Sequence, residues 1–181
     1  MSRIRTRVTA LVIAALATVI STAAPLAAQS TASASLAVTG KIVNPIALAV
    51  TAPLDFGDMF VGTPKNISPD GVGGGRFNVS GEAGSAITVT LQMPTSVSTT
   101  GGATIPLSNW SYVVGTSAAL TGTTPVSFNP TAGTPISASL SGTSGVGRVY
   151  FGVGATATPS AAAPNGAYSA TGQITVAYVG M

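Results

Sequence analysis

A chain of 181 residues with neither histidine nor cysteine excludes Ser-His-Asp and Cys-His catalysis, histidine-based zinc sites and thiol redox chemistry. Seven basic residues against four acidic ones give a formal net charge of +3, but Arg3, Arg5 and Arg7 supply that whole excess. The other charges, Lys41, Lys65, Arg76 and Arg148 against Asp55, Asp58, Asp70 and Glu82, balance, so nucleic acid is not expected as a partner.

The three arginines open the first element. Residues 8–20 carry no charge and are almost all Ala, Val, Ile or Leu, and Pro25 follows among small residues. This is the pattern of a secretory signal peptide over residues 1–28, cut after Ala28. The apolar run falls short of the ~18–20 residues that a spanning helix needs, so no membrane span is expected after cleavage. The expected location is therefore exported: periplasm, cell surface or extracellular. Residues 29–181 suffice for one domain of ordinary size, whose stability must come from its core because no disulfide can form.

Past the signal, no segment has apolar residues at helical spacing, while β-branched and aromatic residues are frequent and Gly and Pro interrupt at short intervals. The composition predicts an all-β fold, an antiparallel β-sandwich. The first strand is expected over residues 34–43, where Leu36, Val38, Gly40 and Ile42 share a face. Strands follow over residues 46–51, 54–61, 76–80 and 85–93, the last with Ile87, Val89, Leu91 and Met93 alternating against Ala86, Thr88, Thr90 and Gln92. Further strands are expected over residues 110–114, 125–128, 136–140 and 148–153. The chain closes on a long strand over residues 167–179, opened by Gly166, with Ile174, Val176 and Tyr178 on one face and Gln173 and Thr175 on the other. Gly, Pro, Asn and Ser clusters supply the turns between them. An outer-membrane barrel also alternates, but it needs aromatic girdles at both interfaces, and this chain has ten aromatic residues in all.

Wet faces built from Ser and Thr leave sheet edges with few lysines to repel other edges, so such edges are either covered or used. The candidate chemistry is thin. Asp55 and Asp58, three apart, and Asp70 nearby have the makings of a calcium site or a glycosidase pair, yet Asp at the end of a strand more commonly solvates a turn. The glycine-rich run Asp70-Gly71-Val72-Gly73-Gly74-Gly75-Arg76 fails both nucleotide-binding spacings and precedes a strand. No catalytic residue, metal or cofactor is expected, and the protein is read as non-enzymatic. Trp110 and Tyr112 share a strand face and form a candidate ligand platform, against the alternative of a core tryptophan. The sequons at Asn66, Asn78 and Asn109 are expected by chance in so Ser/Thr-rich a chain.

Leu36-Ala37-Val38-Thr39-Gly40-Lys41-Ile42-Val43-Asn44 resembles the N-terminal extension of chaperone-usher pilins, and the segment from Gly166 to Tyr178 resembles their C-terminal signature of a Gly and an aromatic bracketing an alternating strand. Leu54-Asp55-Phe56-Gly57, Ile67-Ser68-Pro69-Asp70-Gly71, Phe77-Asn78-Val79-Ser80-Gly81 and Gly166-Ala167-Tyr168-Ser169-Ala170-Thr171-Gly172 are, in that order, similar to a bacterial pilin-like family known as domain-of-unknown-function family 4402. The resemblance implies an immunoglobulin-like sandwich and a surface or fimbrial subunit. It further implies donor-strand exchange, in which an extended strand from another chain fills the groove of an incomplete sandwich. On that implication residues 29–44 are the donor segment, with Leu36, Val38, Gly40 and Ile42 inserted. Gly166, Ile174, Val176 and Tyr178 belong to the acceptor or chaperone-pairing strand. The implied partners are other copies or other pilin-like subunits, with a periplasmic chaperone and an usher. Set against this is a monomeric carbohydrate- or surface-binding sandwich that uses Trp110 and Tyr112.

Overall fold

The computed structural model describes residues 32–133 and 135–180, so the expected signal peptide over residues 1–28 and residues 29–31 of the expected donor segment lie outside the described residues. The described residues fall into two units, up to Gly40 and from Lys41 onward. Residues 32–40 form no helix, strand or turn, and Leu36 and Val38 are exposed. The strand expected over residues 34–43 is therefore not formed. Alternation marks a segment able to pair, but pairing also needs a partner strand in register.

The unit from Lys41 carries ten strands and, among the described residues, no helix: β1 (Ala47–Ala52), β2 (Lys65–Ile67), β3 (Gly75–Glu82), β4 (Ala86–Gln92), β5 (Ser96–Ser98), β6 (Thr104–Gly115), β7 (Val126–Ser127), β8 (Pro135–Ser139), β9 (Val146–Ala157) and β10 (Gln173–Tyr178). All pairings are antiparallel. The large sheet runs β1-β3-β9-β6-β5, with β2 added to β9 and β7 to β6, and the small sheet runs β10-β4-β8. The fold is an all-β sandwich.

The core lies between the two sheets. Phe77 and Val79 of β3, Val149, Phe151 and Val153 of β9, and Ile105, Leu107 and Trp110 of β6 meet Ile87, Val89 and Leu91 of β4 and Ile136 of β8. Phe77 and Phe151, opposite each other in register, stack with ring centroids 4.8 Å apart. Strand β9 is covered on both faces. Its outer face approaches backbone at Gly152 and Gly154, where an added Cβ would overlap Pro69 O and Ile67 O respectively. Glycine there lets the loop after β2 lie directly on the sheet.

Three departures from the expected strands have local causes. Residues 54–61 form no strand: Pro53 precedes them, Asp55 Oδ1 accepts a hydrogen bond from Gly57 N at 2.7 Å, and Gly57 sits at φ 54°. Turn chemistry thus overrides an apolar pattern that includes the buried Phe56. The last strand begins at Gln173 rather than just after Gly166, because Ser169 first bridges Ser98 at the edge of the large sheet before the chain crosses to the small one. Strand β6 is twelve residues long rather than five, and its register shifts between Ser108 and Ser111, with Asn109 at φ 50°. That bulge changes the phase of the alternation, so Ile105 and Leu107 face the core before it and Trp110, Tyr112 and Val114 after it, while Val113, paired with Gly152, is buried on the outer face.

Candidate functional site

The two sheets do not match in width on one side. Leu48 and Val50 of β1 pair with Val79 and Phe77 of β3, and directly paired residues lie on the same face of a sheet. Val79 and Phe77 are core residues, 0% and 3% exposed, so Leu48 and Val50 face the interior side as well. Yet Leu48 is 39% and Val50 65% exposed. No strand of the small sheet covers them. Its edge strand on that side, β10, pairs only with β4, and among the described residues nothing bonds the other edge of β10.

Strand β10 bears the same mark. Its Ile174, Val176 and Tyr178 are half-buried, whereas their partners Leu91, Val89 and Ile87 on β4 are 1%, 0% and 0% exposed. Among the described residues, no strand lies beside the outer edge of β10. An apolar groove runs there between the free edges of β1 and β10.

The groove is uneven along its length. At the Ile174 end it opens into a cavity of about 980 Å³, whose walls include Val50, Phe56, Phe77, Met93, Trp110 and Ile174. Gly166 and the crossing segment after it line the same cavity, but Val176 and Tyr178 do not. At the other end Tyr178 closes the gap. Its hydroxyl donates to Asn44 O and accepts from Glu82 N, each at 2.6 Å, and it packs so closely over Gly81 that a Cβ there would overlap it. The Glu82 carboxylate accepts from Asn44 N at 3.1 Å and Asn44 Nδ2 at 2.8 Å, with Lys41 Nζ 3.8 Å away. These two hydrogen bonds from Asn44, the backbone one first, with a smaller contribution from Lys41, hold the carboxyl of Glu82 below the ordinary range.

The remaining candidates lie as follows. Trp110 is 4% exposed and forms part of the core, tilted against Phe128 at 6.2 Å between centroids, and Tyr112 meets the same Phe128 edge-on at 5.9 Å. Asp55 and Asp58 lie at the cavity rim; Asp55 caps its own turn, and the backbone carbonyl of Asp58 accepts from Lys65 Nζ at 2.8 Å. Asp70 accepts from Ser68 Oγ, which holds its carboxyl below the ordinary range. Among the described residues, no three His, Cys, Asp or Glu gather as metal ligands would.

Sequence reasoning placed Ile174, Val176 and Tyr178 together on one strand face but missed the opposite wall, Leu48 and Val50. The signal was present in the alternation of Ile46, Leu48 and Val50 against Ala47, Ala49 and Thr51. Its exposure depends on the width of the other sheet, which no local pattern encodes. Compared with known proteins, residues 46–178 match a family described as a domain of unknown function, DUF4402. No curated protein matches the chain.

Proposed function

The chain belongs to the DUF4402 family, and from that premise we propose that it is a non-enzymatic, exported structural subunit, pilin-like, which assembles by β-strand complementation at the cell surface. The observation that carries the reading is the exposure of the inward-facing Leu48 and Val50 beside the unpaired edge of β10. A strand added to β10 would satisfy that edge by main-chain hydrogen bonds and cover both residues with alternate side chains. The exposed Leu36, Val38 and Ile42, with Gly40 between them, have the required period of two. Strand β10 spans about 17 Å at ~3.4 Å per residue, and the segment from Leu36 to Ile42, if extended, about 20 Å. Carbohydrate binding on Trp110 and Tyr112 has less support, because Trp110 is buried.

The test is the exported protein with and without residues 29–44, run unheated and boiled on a denaturing gel. Assembly predicts a ladder that survives detergent, collapses on boiling and is lost on deletion or on Val38→Asp. A sharp monomer that the deletion unfolds would overturn the proposal.

A further inference from the structure

The alternation that aims Phe77 and Val79 of β3, and Val149 and Phe151 of β9, into the core aims Asn78, Ser80, Arg148 and Tyr150 away from it. Register sets these four side by side on the outer face of the large sheet. Ala49, Asn78, Tyr150 and Gly115 form one row across β1, β3, β9 and β6, and Ser80 and Arg148 belong to the next. The two rows lie about 7 Å apart and the first spans about 14 Å, from the strand rise and the ~4.8 Å spacing between strands. A short saccharide has such a footprint.

The chain segments that cover the outer face stop beside this patch. Leu120 and Pro69 O lie over Gly152, and Leu120 also over Gly115, so they wall Tyr150 on the β6 side. Toward β1 the neighbours are small or polar: Ala49 and Arg148 are exposed, and Asn78, Ser80 and Tyr150 are half-buried. The nearby charges are already engaged. Glu82 is held by Asn44 and approached by Lys41, and Arg76 Nη2 donates to Asp70 O at 2.7 Å. Among the described residues, Lys41 and Glu82 form the one ion pair, so Arg148 is left as a cation without a carboxylate.

We propose that this outer face binds an acidic saccharide, with a sugar ring stacked on Tyr150 and a carboxylate paired with Arg148. The tyrosine ring offers apolar surface to the C–H face of a pyranose, and the Asn78 amide can both donate to and accept from its hydroxyls. The Arg148 guanidinium matches a carboxylate in fork geometry. Other partners fit less well. A peptide strand needs a free sheet edge or an apolar groove, whereas this patch lies in the middle of a paired sheet and is polar. A nucleic acid needs a row of cations rather than one. The groove lies on the opposite face of the sheet, so this site is independent of strand complementation.

The experiment is isothermal titration calorimetry on the full chain with trigalacturonate, its methyl ester, sialyllactose and lactose. At least one acidic probe should bind, with its neutral counterpart about tenfold or more weaker; whether trigalacturonate or sialyllactose is bound identifies the source as a uronic or a sialic acid. Tyr150→Ala should weaken the acidic probe by about tenfold. Arg148→Gln should bring acidic and neutral probes to equal affinity, a change in selectivity that misfolding does not produce. Ala49→Glu, at an exposed position beside Asn78, leaves both proposed contacts in place but adds a like charge near the carboxylate, and should weaken the acidic probe alone. Failure of both acidic probes to bind at millimolar concentration, equal affinity of the natural chain for acidic and neutral probes, or binding that Arg148→Gln and Ala49→Glu leave unchanged would each overturn the proposal. The multimer ladder reports on the groove and is unaffected by these outcomes.

Discussion

Val50 and Val79 lie on the same face of the same sheet, one 65% and the other 0% exposed, so the same truncation should have different consequences at the two sites. Val→Ala removes about two methyl groups, ~1.6 kcal/mol of transfer free energy at ~0.8 kcal/mol per group when burial is complete. At Val79 the cavity left behind raises the cost to about 2–3 kcal/mol. At Val50 only about a third of the side chain is out of water, so the isolated domain should lose ~0.5 kcal/mol. The remaining ~1 kcal/mol becomes available only when a strand covers the groove, and its loss there weakens assembly roughly fivefold.

Urea denaturation followed by the fluorescence of Trp110, the single tryptophan, measures the first quantity in a Val38→Asp background, in which the proposed donor segment is blocked. Multimer yield in the background with an intact segment measures the second. Equal destabilisation of the isolated domain by Val50→Ala and Val79→Ala would mean that β1 is already covered, and the inference of a missing strand would fail.

Tyr178→Phe leaves Glu82 N and Asn44 O without their partner, and a loss of about 1–3 kcal/mol in urea-derived stability is expected. A change under ~0.5 kcal/mol would show that water replaces the hydroxyl at no cost and that this end is open. Gly152→Ala drives a methyl group into Pro69 O, backbone that cannot swing aside, with Val113 at 2.9 Å and Leu120 at 3.0 Å. It should cost about 1–3 kcal/mol or more, against under ~0.5 kcal/mol for Gly101→Ala, whose nearest neighbour is 3.8 Å away; similar thermal midpoints for the two would contradict the close approach. Glu82 has a folded pKa lowered from an ordinary 4.5, so the unfolded chain binds more protons in that range and stability rises with pH. The contribution of Glu82 is present above pH 4.5 and lost as pH falls through the lowered folded value. The gap in thermal midpoint between the natural chain and Glu82→Gln should therefore narrow from pH 6 to pH 3, and a constant gap would disprove the linkage.

The sequence carried the period-two face of β4 without ambiguity, because Ile87, Val89 and Leu91 alternate with threonines and pack under both neighbours, β10 and β8. Strand β9 was legible only in its middle. Its ends include Gly147, Gly154 and Ala155, small residues that signal turns until the chain lying over them is known. The bulge at Asn109 had no local signature beyond an Asn able to tolerate positive φ, and it alone brings Trp110 rather than Asn109 into the core. Short β2 and β5 were missed for a related reason. Three-residue edge strands such as Lys65–Ile67 are defined by the neighbour they bond, not by their own composition.

The same distinction separates the two halves of the groove. Ile174, Val176 and Tyr178 could be assigned to one wall because alternation is a property of a single strand. That they are only half-buried is a property of sheet order: β10 stands at an edge, whereas β4, with equally apolar residues, stands between two neighbours. Leu48 and Val50 carry this further, since their inward orientation follows from pairing with Val79 and Phe77 and their exposure from there being, among the described residues, no strand of the small sheet opposite them. An ordinary solvent-facing strand would pair with outward residues. A finished sandwich would bury Leu48 and Val50 on one sheet and Ile174 and Val176 on the other. Inward-facing apolar residues that remain wet on one wall, an unbonded edge on the other, and an exposed segment with the matching period in the same chain are together what an assembly unit needs, and no one of the three suffices alone.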